Sequence, residues 1–181
     1  MSGSQLDPLV INGWTVFAHP LFLAQLEATV QQVEQLKVKD PIGYVKKNAN
    51  KRLAAVVKLA FDVIPQDPTR PEYRQGNTLG DDYKHWFRAK FFQQYRLFFR
   101  YHAPSKVIVL AWVNDEDTKR AYESGDDAYR VFRRMLASGH PPDDWNQLLK
   151  EAKATAERLM SSVSLFEDLD RFRIFQRQGD L

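Results

Sequence analysis

The chain has 181 residues, a net charge of +3 and no cysteine. That length suits one domain with a sizeable core, and an aromatic content of 13% argues against a disordered chain. Without cysteine there is no disulfide framework and no thiol chemistry, so a cytoplasmic setting is expected.

No apolar run approaches the ~18 residues of a membrane span, and the N-terminus lacks a basic-then-apolar leader pattern. No membrane partner is expected. Residues 1–8 are expected to be a disordered start, residues 9–160 the folded domain, and residues 161–181 a C-terminal extension.

Leu9–Ala18 reads as a short strand broken at Asn12-Gly13. From Pro20, apolar residues Phe22, Leu26, Val30, Val33 and Leu36 recur at helical spacing. Asp40 then suits a cap, and Pro41 the first turn of a second helix that carries Val45, Ala49, Leu53, Val56, Val57 and Ile64. The two helices make a hairpin. Its exposed side holds Lys46, Lys47, Lys51, Arg52 and Lys58, which reads as a solvated face or as a contact for RNA. Pro65–Lys84 is rich in proline, glycine and polar residues and is expected to be a long loop. Arg74 lies in it, either in a plain connector or beside a site.

The most informative stretch is Trp86–Val113. It predicts three strands, Trp86–Phe92, Tyr95–His102 and Lys106–Val113, joined by short turns. The third is apolar on both faces and suits a central, covered strand. Alternation places Arg96, Phe98 and Arg100 on one face and Tyr95, Leu97, Phe99 and Tyr101 on the other. Arg88 and Lys90 share a face of the preceding strand, and a hairpin brings that face alongside Arg96. From Lys84 to Val113 there are six Lys or Arg and no Asp or Glu. Cations interleaved with aromatics, without anions, suit phosphates and bases. An ordinary solvated sheet face, with Arg stems over aromatics, is the alternative.

Beyond the sheet, Asn114–Asp127 holds six acids and two bases. Asp126 or Asp127 caps a helix bearing Tyr129, Val131, Phe132, Met135 and Leu136. Gly139 closes it, and Pro141-Pro142 stop continuation. Asp143 or Asp144 caps the next helix, with Trp145, Leu148, Ala152 and Leu159 on one side. Arg171–Arg177 alternates like a strand or an appended arm. There is no GxxxxGK(S/T), GxGxxG, HExxH or nucleophile-elbow motif, so nucleotide hydrolysis, dehydrogenase and zinc-protease chemistry have no support.

The run RAKFFQQYRLFFRY resembles the core of the YhaV family of bacterial toxins, within the RelE/ParE superfamily. Asn12-Gly13-Trp14 with Ala18-His19-Pro20, Lys39-Asp40-Pro41, Asn114-Asp115-Glu116 with Thr118, and Gly139-His140-Pro141-Pro142 agree with it in order. The resemblance implies an α+β, RelE-like fold: an antiparallel sheet packed by an N-terminal helical hairpin and C-terminal helices. It further implies a toxin of a type II toxin–antitoxin system that cuts mRNA, at the ribosome or without it. A PrlF-like antitoxin would neutralise it, associate with it in an oligomer, and bring the complex to its own promoter DNA.

Metal-free RNA cleavage needs a base for the 2′-hydroxyl, an acid for the leaving oxygen, and cations for the charge growing on phosphate. By this resemblance Arg88, Arg96 and Arg100 are the expected catalytic cations, with Arg88 and Arg96 first. Lys90, Phe98, Tyr122 and Arg74 are expected to bind RNA, Tyr122 by stacking on a base or else by packing the core. His140 is a candidate for proton transfer, with closure of the preceding helix as its structural alternative. Asp115 or Glu116 can act as base, form an acidic loop, or brace Arg96. The acidic run after the third strand departs from RelE itself, where basic residues follow. It has no accompanying ligand cluster, so no metal and no cofactor are expected. The alternative function is a non-catalytic module of the same fold that binds nucleic acid or inhibits a protein.

Overall fold

Runs of aromatic and β-branched residues between short turns set up the sheet. The computed structural model describes residues 7–118 and 127–168. In it, β1 (Val10–Ile11) and β2 (Trp14–Ala18) form a hairpin turned at Asn12-Gly13, both with positive φ. β3 (Phe87–Phe91), β4 (Tyr95–His102) and β5 (Val107–Val113) follow as an antiparallel meander. The sheet order is β1-β2-β5-β4-β3, which places the apolar β5 at its centre, as its composition predicts.

One pairing departs from the expected antiparallel pattern. β2 runs parallel to β5, with Val16 opposite Ile108, so the sheet is mixed. Parallel neighbours need a long crossover. The whole helical hairpin, β3 and β4 lie between these two strands and supply it.

α1 (Pro20–Lys39) is capped by His19, whose Nδ1 accepts from the Leu21 amide at 3.2 Å. The second helix starts later than Pro41. Asp40 instead ends α1, and its carboxylate accepts from the Gly43 amide. A 3₁₀ turn over Gly43–Lys46 follows, and α2 (Asn48–Lys58) begins only then. It continues through a π-helical stretch, Leu59–Val63, into a last turn, α3 (Ile64–Gln66). The C-terminal helices are α4 (Ala128–Ala137), α5 (Trp145–Ala154) and α6 (Ala156–Asp168). Asp127 caps α4 and Asp144 caps α5, which decides both pairs left open by the sequence.

Helices cover both faces of the sheet. On one, Leu97, Phe99, Ile108 and Leu110 pack with Phe22, Leu23 and Leu26 of α1, Leu53 and Val57 of α2, and Leu159 and Phe166 of α6. On the other, Phe98, Val109, Ala111 and Trp112 pack with Phe132 and Leu136 of α4 and Leu148 of α5. α6 thus carries the packed chain past residue 160, to a buried Phe166. Arg171–Arg177 lies outside the described residues.

Candidate active site

The period of a strand puts Arg88 and Lys90 of β3 on the same face as Arg96 of β4, and the hairpin register seats Lys90 directly opposite Arg96. Like charges across a sheet are unfavourable. Arg88 and Arg96 are nonetheless 8% and 7% exposed. Both point at α4. There the Asp127 cap starts the helix so that Tyr129, in its first turn, aims back at the sheet.

The Nε atoms of Arg88 and Arg96 both donate to Tyr129 Oη, at 2.8 and 3.1 Å. Arg88 Nη1 also donates to the Glu72 carbonyl at 2.6 Å, and Arg96 Nη1 to the carbonyls of Gln93 and Tyr95 at 2.7 and 2.8 Å. Every one of these acceptors is neutral. Among the described residues neither guanidinium has a carboxylate partner. Among the described residues these two nearly buried cations share one phenol oxygen and have no anion partner, an arrangement whose guanidinium forks can take a phosphate.

Lys90 stands exposed at the rim of this pair, and Arg74 is exposed on the loop that supplies Glu72. A bridge between Arg74 and Phe87 lays that loop along the edge of β3.

The other predicted residues fall elsewhere. Phe98 cannot receive RNA: it is fully buried, with its ring stacked 4.2 Å from Phe132 and 5.9 Å from Trp112. The alternation placed it on the correct face, but α4 covers that face. Arg100 lies beyond Phe98 on β4, between the indoles of Trp86 and Trp145 at 5.4 and 5.3 Å, and donates to the Asp143 carbonyl. Burial holds its pKa below the usual arginine value, against the pull of Asp143 and Asp144. It ties the start of α5 to the sheet and does not join Arg88 and Arg96. His140 is exposed at the opposite end of α4 from Tyr129. Its amide donates to the Met135 carbonyl at 3.0 Å and its ring lies 5.9 Å from that of His19. Tyr122 lies outside the described residues.

Asp115 and Glu116 are exposed on the turn after β5. Asp115 accepts from the Thr118 hydroxyl, and Glu116 accepts from Tyr95 Oη at 2.5 Å. Burial first, and then that bond, push the Tyr95 phenol up to about 12. The brace on Arg96 comes from neither acid but from Asn114, which is fully buried. Its Oδ1 accepts from the Arg96 amide at 2.6 Å, while Nδ2 donates to the carbonyls of Gln94 and Thr118. Asn114→Ala should cost about 1–3 kcal/mol in denaturant unfolding, because it leaves the buried Arg96 amide without its acceptor.

Sequence reasoning gave no site role to Tyr129 or to Asn114, although Asn114 stands in one of the stretches that carry the resemblance. Tyr129 read as one more residue on a helix face, and only its place two residues after a capping aspartate, in the first turn of α4, set it apart.

His19 is fully buried, and its Nε2 lies 3.4 Å from Glu151. Burial holds its pKa below the ordinary value, Glu151 opposes that shift, and nearby His140 adds to it. A depressed histidine contributes stability above its ordinary value of about 6.5 and loses it as pH falls toward the folded value. Thermal midpoints taken from pH about 7 down to about 5 should therefore fall more steeply in the parent than in His19→Asn, which keeps a helix cap without a titrating ring.

Among the described residues no helix is long and apolar enough to cross a membrane, and no group of three or more His, Cys, Asp or Glu could hold a metal ion.

A family model described as a toxin with endonuclease activity, of toxin–antitoxin system, matches residues 16–153. The chain is 47% identical over 150 residues to the ribonuclease toxin YhaV of Escherichia coli strain K12, covering 82% of this chain and 97% of that protein. Identity and coverage are the same for the toxin YhaV of Escherichia coli O157:H7. No solved structure matches.

Proposed function

The chain belongs to the YhaV family of toxins of toxin–antitoxin systems and is a ribonuclease, and on that premise we propose that Arg88 and Arg96 clamp the scissile phosphate of mRNA. The family match sets cleavage above the alternative of a non-catalytic binding or protein-inhibiting module. The observation that carries the clamp is the pair of nearly buried guanidiniums with only neutral acceptors around them.

In this reading the 2′-oxygen attacks phosphorus and the bond to the 5′-oxygen breaks, leaving a 2′,3′-cyclic phosphate and a 5′-hydroxyl. Negative charge grows on the non-bridging oxygens during attack. Guanidinium forks held before the reaction stabilise that charge without reorganising. Tyr129 sets the spacing of the two forks. Lys90 and Arg74, exposed at the rim, hold neighbouring phosphates. Asp115 and Glu116 stand on the turn that Asn114 ties to Arg96, whereas His140 stands at the far end of α4. Proton transfer is therefore assigned to that acidic turn. The exposed cations at the rim also suit an acidic segment of a PrlF-like antitoxin, and a cytoplasmic setting follows from an mRNA substrate.

The test is incubation of the chain with a defined mRNA in excess EDTA, with and without ribosomes. Cleavage should persist, give cyclic phosphate ends, fail on RNA carrying a 2′-deoxy group at the cut site, and be lost in Arg96→Ala. Cleavage that needs a divalent ion, or that ignores the 2′-deoxy group, would sink this mechanism.

A further inference from the structure

The turn that joins β3 to β4 carries a second feature. Phe92 is 56% exposed, and its backbone is held at φ +44°, in the left-handed region that a bulky residue avoids. The neighbouring Gln93 is also at positive φ, 61°. An aromatic ring is thus displayed to solvent at a position where glycine would be at ease. Beside it a cleft of about 290 Å³ opens between this turn and α2. Its lining includes Lys51 and Arg52 of α2, Phe92 and Tyr95 from either side of the turn, and Glu116. The Arg52 guanidinium lies 5.1 Å from the Tyr95 ring centre and donates to the Asn114 carbonyl, so the cleft is braced. Lys51 is exposed and, with Lys46 and Lys47, makes no ion pair among the described residues.

We propose that this cleft is a subsite for single-stranded RNA, where Phe92 stacks on a base and Lys51 holds an adjoining phosphate. Its volume suits one base and little more. Stacking on an exposed ring next to a cation is the general chemistry of single-strand binding. The same turn connects the cleft to the phosphate clamp, since Arg96 Nη1 donates to the carbonyls of Gln93 and Tyr95. An RNA strand with its scissile phosphate on Arg88 and Arg96 passes this turn on its way into the cleft. The inference rests on the clamp reading, and it adds the length and single-strandedness of the substrate.

The test uses the full chain and a single-stranded RNA blocked from cleavage by 2′-O-methyl groups, with fluorescence anisotropy as the readout. Phe92→Ala should weaken binding roughly tenfold, as expected for one lost stacking contact. Lys51→Glu should weaken it further and flatten its salt dependence. Phe92→Gly, which suits the backbone better, should raise the melting temperature yet bind RNA as poorly as Phe92→Ala. Cleavage at subsaturating RNA should fall in step with affinity in all three. Parental RNA affinity in both folded Phe92 variants would overturn the subsite. Parental RNA affinity with lost antitoxin binding would give the cleft to the protein partner instead. Arg96→Ala, assayed alongside, separates the two readings: parental cleavage there removes the clamp itself, whatever the Phe92 variants do.

Discussion

Arg88→Ala should lower the cleavage rate about 10²–10³-fold, comparable to removal of one oxyanion-stabilising donor, while the melting temperature changes by no more than a few degrees. The second half of this expectation discriminates. If Arg88 served only to fasten α4 to the sheet through Tyr129, its loss would remove two buried hydrogen bonds from a charged donor, at about 1.5–3 kcal/mol each. In a domain of this size that is roughly 10 °C. Arg88 and Arg96 instead crowd two positive charges onto one phenol oxygen with no carboxylate among the described residues. Removing one relieves repulsion and offsets the lost hydrogen bonds to Tyr129 and Glu72. Arg88→Lys keeps the charge but not the fork, so its rate should fall between parent and Arg88→Ala. Cleavage assays and thermal unfolding on the same samples decide the matter. A large stability loss with the rate per folded molecule intact would return Arg88 to a structural role.

Phe98→Ala should destabilise the fold by about 3–5 kcal/mol, the usual range for a buried aromatic cut to alanine. Phe98 is fully buried, and its ring packs against Phe132, Trp112 and Tyr129 at once. Set against a typical total stability of about 5–15 kcal/mol, this leaves a marginal protein. Phe98→Leu fills most of the space and should lose much less. Below its melting temperature it should bind RNA as the parent does. Denaturant unfolding together with RNA binding checks both variants. Lost RNA affinity in Phe98→Leu with unchanged stability would restore Phe98 to the binding surface.

The two residues were grouped in the sequence for one reason and separated in the structure for another. Arg96 and Phe98 share a face of β4 because side chains alternate, and that much follows from backbone geometry alone. Which part of that face stays reachable depends on α4. Its Phe132 closes over Phe98, while its first turn leaves Tyr129 beside the arginines. The partners are far apart in the chain, 41 positions for Arg88 with Tyr129 and 33 for Arg96. No local pattern encodes a pairing at that distance. The same holds for Arg100. Its place between Trp86 and Trp145 was set by the docking of α5 and not by anything near it on β4.

What the sequence by itself determined is local. Alternation and turn residues marked three successive strands with boundaries close to β3, β4 and β5. An apolar run identified β5 as the centre of the sheet, and 3.6-residue spacing identified the buried faces of α1, α4 and α5. It also placed Arg88, Lys90 and Arg96 on one face, because side chains alternate and a one-residue slip of the hairpin would turn its buried set outward. Tertiary structure decided the rest. It made β2 a parallel neighbour of β5, delayed the second helix to Asn48, covered Phe98, set His140 apart from the arginines, and brought Tyr129 and Asn114 to them. The physical reason is that local patterns express steric and burial preferences within a few residues. A site is made by long-range packing, which selects among the many surfaces those preferences allow.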